Sequence, residues 1–359
     1  MRWQDVEGPT LAFRDPRRFP HRPSGRISRT IMKSQALHFP LKGTVEIKER
    51  TIAAPGPDEI GVRVRACGVC HGDVSLFHSD RAESFPAFAG HEAAGEVEVV
   101  GAEVTRFKIG DAVALLGQER FSTHTVAKES QAMLIPGPVE DWSRWVVEPI
   151  ACCVNGVAVA AIQPDDVVAV VGCGFMGLGL LQCLRHSPAR LRIALALRDF
   201  SLEQALRNGA DEALRSDAND VVAQIAKFAP ARPMPNQYVV PGFEGGPCDV
   251  VFEASGSASG LKRASELVRV GGTLVMFGHQ EGAATVDGTL WHMRGIRVLN
   301  ASPMIATDFT QIFYRTVGLL KCGALNMADL ITHRAPMDEA QRLFDHSKDK
   351  TYIKGVISF

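Results

Sequence analysis

The hydrophobic pattern divides the chain into two parts with different rhythms. Up to about residue 135, short apolar or alternating segments follow one another with turns between them, as at residues 43–51 and 60–67. Alternation with a period of two over four to eight residues predicts half-buried strands. We therefore predict a β-rich first part, with further strands at residues 34–39, 92–100, 112–116 and 124–135.

Beyond Pro149, strand-like runs alternate with stretches of helical spacing. That alternation predicts an α/β fold with a doubly wound parallel sheet and helices on both of its faces. Residues 229–248, rich in proline and glycine, are predicted to form a long loop, and a last strand at 352–359 is expected to return to the first part. The other predicted strands are 167–171, 191–197, 249–253, 273–277 and 296–299, and the predicted helices are 202–208, 220–228, 259–268, 309–321 and 337–345.

The most specific pattern follows the first strand of the second part. A β-branched apolar run at residues 167–171 leads into a G-x-G-x-x-G turn that begins at Gly172, and apolar residues then continue at helical spacing. Such glycines permit a tight turn, close approach of a pyrophosphate and close helix packing, and the helix N-terminus holds the phosphate charge. We assign Gly172, Gly174, Phe175, Met176 and Gly177 to cofactor binding.

Two other interpretations of this stretch compete with dinucleotide binding. The apolar run is long enough for a membrane span, but four glycines within eight positions argue against one. A nucleotide-free βαβ unit is the second alternative.

The chain as a whole has 359 residues, enough for two domains, and its net charge of −1 indicates neither nucleic acid nor an anionic membrane as a partner. Eight cysteines in a chain of this length favour reduced thiols in the cytoplasm over a disulfide framework.

Residues 1–31 differ from the rest because they are rich in arginine and proline and have no apolar centre of a signal sequence. A transit peptide would be poor in acidic residues, whereas Asp5, Glu7 and Asp15 occur here. We expect a flexible extension, or a start assigned too early with Met32 as the true first residue.

Four side chains ahead of the glycine turn have the chemistry of a zinc site. Cys70, His91, Glu92 and Glu148 offer a thiolate, an imidazole and two carboxylates. Three protein ligands with an open fourth position are typical of a catalytic zinc. Each residue alone has a simpler explanation, since a single cysteine or histidine is usually just packed and Glu148 could cap a helix. Cys67 and Cys70 also form a C-x-x-C pair, which is typical of a redox or structural-metal site, but the sequence has no second pair.

Further motifs occur in a fixed order along the chain, and together they resemble the zinc-dependent medium-chain dehydrogenase/reductase family, which includes alcohol, sorbitol and threonine dehydrogenases. The resemblance runs from Met32 to Phe359. It implies a β-rich GroES-like catalytic domain at 32–151 and 303–359 and a Rossmann domain at 152–302. The motifs are Gly68-Val69-Cys70-His71-Gly72-Asp73, Gly90-His91-Glu92-Ala93-Ala94-Gly95, Gly110-Asp111, Glu148-Pro149, the glycine turn and Gly209-Ala210-Asp211.

The resemblance implies roles around the metal. Cys70 and His91 match the two zinc ligands of the first domain, and Glu92 matches a glutamate that ligates or backs the metal. Glu148, followed by proline, is similar to the sorbitol and threonine dehydrogenase branch. Asp73 matches an aspartate that orients the histidine ligand.

It also implies roles around the cofactor and the proton. Lys354 matches a basic residue that reaches the pyrophosphate, and Ala254 and Phe277 match strand ends that line the nicotinamide side. Ser75 occupies the position of a proton-relay residue, but Gly72 replaces the serine or threonine that usually begins the relay. The proton is therefore expected to leave through water, Ser75 or the substrate's own hydroxyl group.

Two further departures concern the metal and the cofactor. No cysteine lies between Cys70 and Cys152, where many family members carry a four-cysteine lobe, so we expect one catalytic zinc and no structural zinc. Ala196 stands where an acid should bond the ribose 2′-hydroxyl of NAD, and Arg198 follows two residues later. NADP is favoured, because no carboxylate repels its 2′-phosphate and the guanidinium group of Arg198 can bind that phosphate. The alternative is that Asp199 takes over the acid's role and NAD is used.

The resemblance implies hydride transfer between a zinc-bound alcohol or carbonyl of a small molecule and NAD(P), as in an alcohol or polyol dehydrogenase or a carbonyl reductase. Two alternatives remain, a zinc-free enone or quinone reductase of the same fold and a non-catalytic nucleotide-binding protein. Family members are usually oligomers, and we expect a homodimer or homotetramer formed through the sheet edge near 296–299.

Overall fold

The computed structural model describes residues 31–80, 88–229, 240–280, 282–302 and 308–359. The predicted N-terminal extension lies outside them except for Ile31. Half of the predicted loop at 229–248, namely 230–239, and the predicted domain boundary at residue 303 also lie outside them. The strands are β1 Ile31–His38, β2 Glu46–Ala53, β3 Glu59–Val69, β4 Glu92–Val100, β5 Ala112–Leu115, β6 His124–Lys128, β7 Ala132–Leu134, β8 Val167–Val171, β9 Leu191–Ala196, β10 Glu212–Arg215, β11 Cys248–Glu253, β12 Val268–Met276, β13 Arg297–Asn300, β14 His333–Pro336 and β15 Gly355–Ser358. The α-helices are α1 His71–His78, α2 Glu148–Ala160, α3 Phe175–Leu184, α4 Asp199–Arg207, α5 Val221–Phe228, α6 Ala258–Leu267, α7 Gly288–Arg294, α8 Phe309–Lys321 and α9 Ala340–Asp345.

β1 and β2 form a separate antiparallel pair. The other strands of the first part share one mixed sheet with the last segment of the chain, in the order β14-β15-β3-β4-β5-β7, with β6 also paired to β3. β15 runs antiparallel to β3, which confirms that the last strand returns to the first part. The predicted single strand at 124–135 is wrong, because the 3-10 turn Glu129–Gln131 separates β6 from β7. The Glu129 carboxylate there accepts hydrogen bonds from the N–H groups of Thr105 and Arg106, which ties the turn to a neighbouring loop.

The second sheet is parallel throughout, in the order β10-β9-β8-β11-β12-β13. From β8 the chain first adds β9 and β10 on one side and then returns to add β11, β12 and β13 on the other side. This is the doubly wound order, so the predicted fold is confirmed. All residues of β8 and β11 are buried, because helices cover both faces of the sheet, and this explains their continuous apolar runs. β10 and α7 were not predicted from the sequence.

Two helices that the sequence pattern does not reveal place candidate site residues. α1 begins directly after Cys70, and no helix is predicted there from the sequence. α2 begins at Glu148 and carries Pro149 in its first turn, a position where proline costs no hydrogen bond. α2 packs against α3 and α8. Within the described residues, no helix is both long and apolar enough to cross a membrane.

Candidate active site

Three of the predicted metal ligands converge. One ligand atom each from Cys70, His91 and Glu92 lie within 4.8 Å of one another. Zinc bonds of about 2.0–2.3 Å place any two ligands of one ion within roughly 4.6 Å, so the cluster is close to the spacing that zinc requires. It is the one group of three or more metal-ligating side chains with this spacing in the described parts of the chain. The thiol, imidazole and carboxylate therefore fit a zinc ion.

Cys70 is placed by the junction of β3 and α1. Its backbone N–H donates to Asp73 Oδ2 at 2.9 Å, which closes the first turn of the helix. Asp73 is buried, and burial raises the pKa of its carboxyl group to about 6, although the charge of His91 acts in the opposite direction. Asp73 thus fixes the Cys70 backbone by a hydrogen bond and acts on His91 through its charge. The predicted role of Asp73 in orienting His91 stays a prediction.

Glu92 opens β4 opposite Gly68 of β3, and its carboxylate is held by Lys354. The Lys354 ammonium lies 2.7 Å from Oε1 and 2.6 Å from Oε2 of Glu92, and both residues are at least 97% buried. A Cβ atom at Gly68 would overlap Glu92 Oε2, so glycine provides the room for this ion pair. The Lys354 ammonium also lies 4.5 Å from the ring centroid of Phe175. The contact of Lys354 with a pyrophosphate stays a prediction.

Glu148 approaches the same cluster from the start of α2, although it is not one of the three residues within 4.8 Å. Burial and the charge of Glu92 raise the pKa of the Glu148 carboxyl group to about 7. The thiol of Cys152, one helical turn later, donates to Glu148 Oε1 at 3.6 Å. His91 lowers the pKa of Glu148, so the two groups are electrostatic neighbours.

The cluster is rich in acidic groups. Burial lowers the pKa of His91. Its hydrogen bond with Cys70 and the charges of Glu92 and Asp73 act in the opposite direction and outweigh burial, so the pKa of His91 is raised to about 10. An imidazole surrounded in this way is stabilised as a cation. The same negative field favours a bound metal cation, because, within the described residues, Lys354 pairs with Glu92 alone and the other acidic groups of the cluster lack a lysine or arginine partner in it.

α1 also carries the two residues linked to proton transfer. A Cβ atom at Gly72 would meet only Cys70 Sγ, at 4.0 Å, so the space beside the thiol is open. Ser75 is half-buried one helical turn further along. The route of the proton stays a prediction.

The glycine turn has the geometry that the fingerprint requires. Gly172 has a φ of +99°, which favours glycine, and its N–H donates to the carbonyl of Leu195 at 2.8 Å. A Cβ atom at Gly177 would overlap the carbonyl oxygen of Gly172, whereas one at Gly174 would project into open space. Phe175 and Met176 form the first turn of α3. The backbone of this turn can therefore closely approach a phosphate group.

The ends of β9 and β10 form the region where cofactor choice is expected. Ala196 ends β9, and Arg198 caps α4 and donates to a backbone carbonyl at 2.9 Å. Arg215, which ends β10 beside Ala196, pairs with Asp199 at 3.1 Å and with a second aspartate, Asp217, at 2.8 Å. Arg215 is not evident from the sequence pattern, because β10 has only four residues and carries polar residues at both ends.

The other predicted cofactor residues lie across the sheet. Ala254 follows β11, and its N–H donates to the carbonyl of Val171 at 2.8 Å. Phe277 follows β12. With the glycine turn, they flank the crevice between β8 and β11, where the strand order reverses and where dinucleotides bind in folds of this kind.

Two family models match the chain. One, described as the alcohol dehydrogenase GroES-like domain, matches residues 56–137, and the other, described as zinc-binding dehydrogenase, matches residues 176–313. Together these matches cover more than half of the chain and include α3 from Met176 onward and both Cys70 and His91.

The chain is also similar to individual proteins. D-arabinitol dehydrogenase 1 of Uromyces fabae is 28% identical over 327 residues, which cover 83% of this chain and 89% of that protein. A sorbitol dehydrogenase of Halalkalibacterium halodurans is 22% identical over 349 residues, covering 88% and 96% of the two chains. A crystal structure from Sinorhizobium meliloti 1021, described as a zinc-binding dehydrogenase bound to NADP, is 26% identical, covers 91% of this chain and 100% of its own, and superimposes with a TM-score of 0.74.

The family matches agree with the metal-fitting cluster and with the helix that follows the dinucleotide turn. The chain therefore belongs to the zinc-dependent medium-chain dehydrogenase/reductase family and is an NAD(P)-dependent oxidoreductase of small alcohols or carbonyl compounds.

Proposed function

We propose that this oxidoreductase is a polyol dehydrogenase whose reaction takes place at the cluster of Cys70, His91 and Glu92. The observation that carries the proposal is the convergence of these three ligand atoms within 4.8 Å. A second observation links the cluster to the cofactor, because Lys354 contacts both Glu92 and Phe175, the first residue of the helix after the glycine turn.

Each residue of the site has a proposed role. Cys70 and His91 hold the zinc ion, and Glu148 approaches it from the start of α2. Glu92, whose charge is compensated by Lys354, is the third proposed ligand. When bound, zinc supplies a Lewis acid that stabilises negative charge on the substrate oxygen, and the nicotinamide supplies the hydride acceptor or donor. The open space at Gly72 allows water or a second substrate hydroxyl to receive the proton, and Ser75 is the proposed relay residue on α1.

A polyol is the substrate class that the similar proteins support. The two curated relatives described above are named for D-arabinitol and sorbitol. The glutamate and proline at the start of α2 are those that the resemblance links to the sorbitol and threonine dehydrogenase branch.

NADP is the proposed cofactor. Ala196 leaves no carboxylate at the end of β9, Arg198 and Arg215 bring two guanidinium groups to this edge, and Arg215 engages Asp199. The similar Sinorhizobium meliloti structure is bound to NADP. Titration of the purified protein by NADPH and NADH fluorescence tests this proposal. We expect NADPH to bind about tenfold more tightly, a difference equal to one charge-assisted contact, and Arg215→Met to reduce that preference. A preference for NADH would contradict it.

The remaining proposals concern assembly and organisation. We propose one zinc per chain, a GroES-like domain at 32–151 and 303–359, and a Rossmann domain at 152–302. The two domains are supported by the separation of the seven-stranded mixed sheet from the six-stranded parallel sheet. A homodimer or homotetramer is supported by β13, an edge strand whose Val298 is 37% exposed. A cytoplasmic location is supported by eight cysteines, all of them free thiols.

Metal analysis combined with turnover assays tests the function. The purified protein is expected to contain one zinc per chain and to oxidise pentitols or hexitols with NADP, and light scattering is expected to show an oligomer. Metal-free protein that reduces enones or quinones at full rate would favour the zinc-free reductase. Cofactor binding without turnover on any alcohol, aldehyde or ketone would favour a non-catalytic protein.

A further inference from the structure

Glu253, the last residue of β11, is fully buried at the carboxyl edge of the parallel sheet. Its Oε1 accepts hydrogen bonds from the N–H of Ser255 at 2.8 Å and from the Ser255 hydroxyl at 2.5 Å, and its Oε2 accepts one from the Gln280 amide at 2.7 Å. Its backbone carbonyl accepts hydrogen bonds from the N–H groups of Phe277 and Gly278. One residue therefore joins the loop after β11 to the loop after β12.

These two loops lie on one side of the dinucleotide crevice. The order of the strands reverses between β8 and β11, so one half of a dinucleotide is expected at the ends of β8 and β9 and the other half at the ends of β11 and β12. The adenosine half belongs to the β9 side, where the ribose acid would stand. The loop after β11 also touches the glycine turn, since a Cβ atom at Gly172 would lie 2.6 Å from the Ser255 nitrogen.

A buried carboxylate is unfavourable unless hydrogen-bond donors compensate for its lost hydration. Here the donors come from both loops, so each loop loses a charge-assisted hydrogen bond if it moves away. The Glu253 charge consequently favours a single arrangement of the two loops, in which they are held at a fixed separation.

We propose that Glu253 is a positioning residue for the nicotinamide half of the cofactor, acting through Ser255 and Gln280. It fixes the wall against which the nicotinamide ring lies, so that the ring is oriented before the substrate arrives. The proposal rests on the dinucleotide binding of the proposed function, but on neither its zinc nor its substrate.

The test compares a whole dinucleotide with its adenosine half. Gln280→Glu places a second carboxylate against Glu253, whereas the double variant Glu253→Gln with Gln280→Glu restores one amide and one carboxylate in reversed order. Dissociation constants are measured by calorimetry for NADPH and for 2′-phospho-ADP-ribose, which lacks the nicotinamide, and melting temperatures are recorded for each variant.

We expect Gln280→Glu to weaken NADPH binding about tenfold and to leave binding of the fragment within about twofold, as for one lost charge-assisted hydrogen bond. The double variant should recover most of the NADPH affinity. Equal weakening of both ligands, or a lower melting temperature with unchanged affinities, would show that the hydrogen bonds only stabilise the sheet and would overturn the proposal.

A second variant decides the matter if Gln280→Glu does not fold. Glu253→Asp keeps the charge and shortens the side chain by one methylene group, so it retains the neighbouring Ser255 and loses Gln280. The same difference between NADPH and the fragment is expected, and its absence would refute the proposal. Failure of the proposed function has another signature, namely wild-type protein that shows no zinc and no turnover while NADPH binding still responds to these substitutions.

Discussion

Two regions of the site reach their geometry by different means. One is the metal cluster, meaning the side chains of Cys70, His91 and Glu92 with the supporting Lys354, and the other is the cofactor edge, meaning the glycine turn and the carboxyl ends of the parallel strands. The cluster assembles side chains from the end of β3, the start of β4 and the segment before β15, and it depends on buried charges that need one another. The cofactor edge is formed by consecutive strand ends of one sheet, and much of it is backbone at a glycine turn. The comparison shows that a contiguous motif can define a binding site for phosphate, whereas a metal site needs the finished fold.

The largest expected effect separates the two regions. Cys70→Ala or His91→Ala removes a proposed ligand from the cluster, so zinc should be lost and turnover should fall by more than about 10³-fold, beyond the loss of a single transition-state donor. NADPH should still bind, because the cofactor edge is a different part of the chain. Metal analysis, steady-state kinetics and NADPH titration check this. Normal turnover by the zinc-free variant would show that the cluster is not the reaction centre.

The second effect concerns stability and the ion pair that supports the cluster. Lys354→Met leaves the Glu92 carboxylate buried without its partner, so the free energy of unfolding should fall by about 3–5 kcal/mol. The double variant Lys354→Met with Glu92→Gln should cost less, because no unpaired charge remains. Urea unfolding measures both changes.

An exposed pair supplies the matched control for that experiment. Lys33 and Glu49 lie 3.0 Å apart, but their side chains are 77% and 63% exposed, so Lys33→Met should change stability by less than about 1 kcal/mol. A double variant at Glu92 and Lys354 that is no more stable than the single one would mean that lost packing, and not the orphaned charge, is responsible.

The same contrast explains how much could be predicted from sequence. The strand, the glycine turn and the following helix could be read directly, because residues 167–184 are contiguous and their periodicity is strong. The three converging ligands were identified from their chemistry and from the family resemblance. Their convergence in space could not be calculated from spacing alone.

Other features were missed for physical reasons. The contact between Glu92 and Lys354 joins residues 262 positions apart, and no local pattern encodes it. Arg215 went unnoticed because β10 is short and partly exposed, so it has no clear alternation. α1 was missed because its eight residues mix polar and apolar types without a clear apolar face.

A third prediction tests the backbone character of the cofactor edge with two glycines of the same turn. Gly177→Ala puts a methyl group onto the Gly172 carbonyl, so the free protein should lose about 1–3 kcal/mol of stability as the helix is pushed from the strand. Gly174→Ala meets no neighbouring atom, so the free protein should be unaffected while NADPH binds more weakly. Thermal unfolding with and without NADPH distinguishes the two. Equal affinity for NADPH in the Gly174 variant and the wild type would place the pyrophosphate elsewhere.

The smallest effect is expected at Gly72, where the metal cluster meets open space. Gly72 lies in the first turn of α1 and is exposed, so Gly72→Ala should stabilise the protein by at most about 1 kcal/mol, the difference in helix propensity. Gly72→Ser has nearly the same shape and adds only a hydroxyl group. If that hydroxyl can join a proton path beside Cys70, the serine variant should oxidise simple monohydric alcohols several-fold faster than the alanine variant. This difference is smaller than the factor of at least about 10² that proton transfer by a well-positioned group contributes. Polyols, which carry a second hydroxyl of their own, should show a smaller difference. Comparison of kcat across pH for one alcohol and one polyol measures this, and identical profiles for the serine and alanine variants would mean that the proton leaves by a route that does not pass through the space at Gly72.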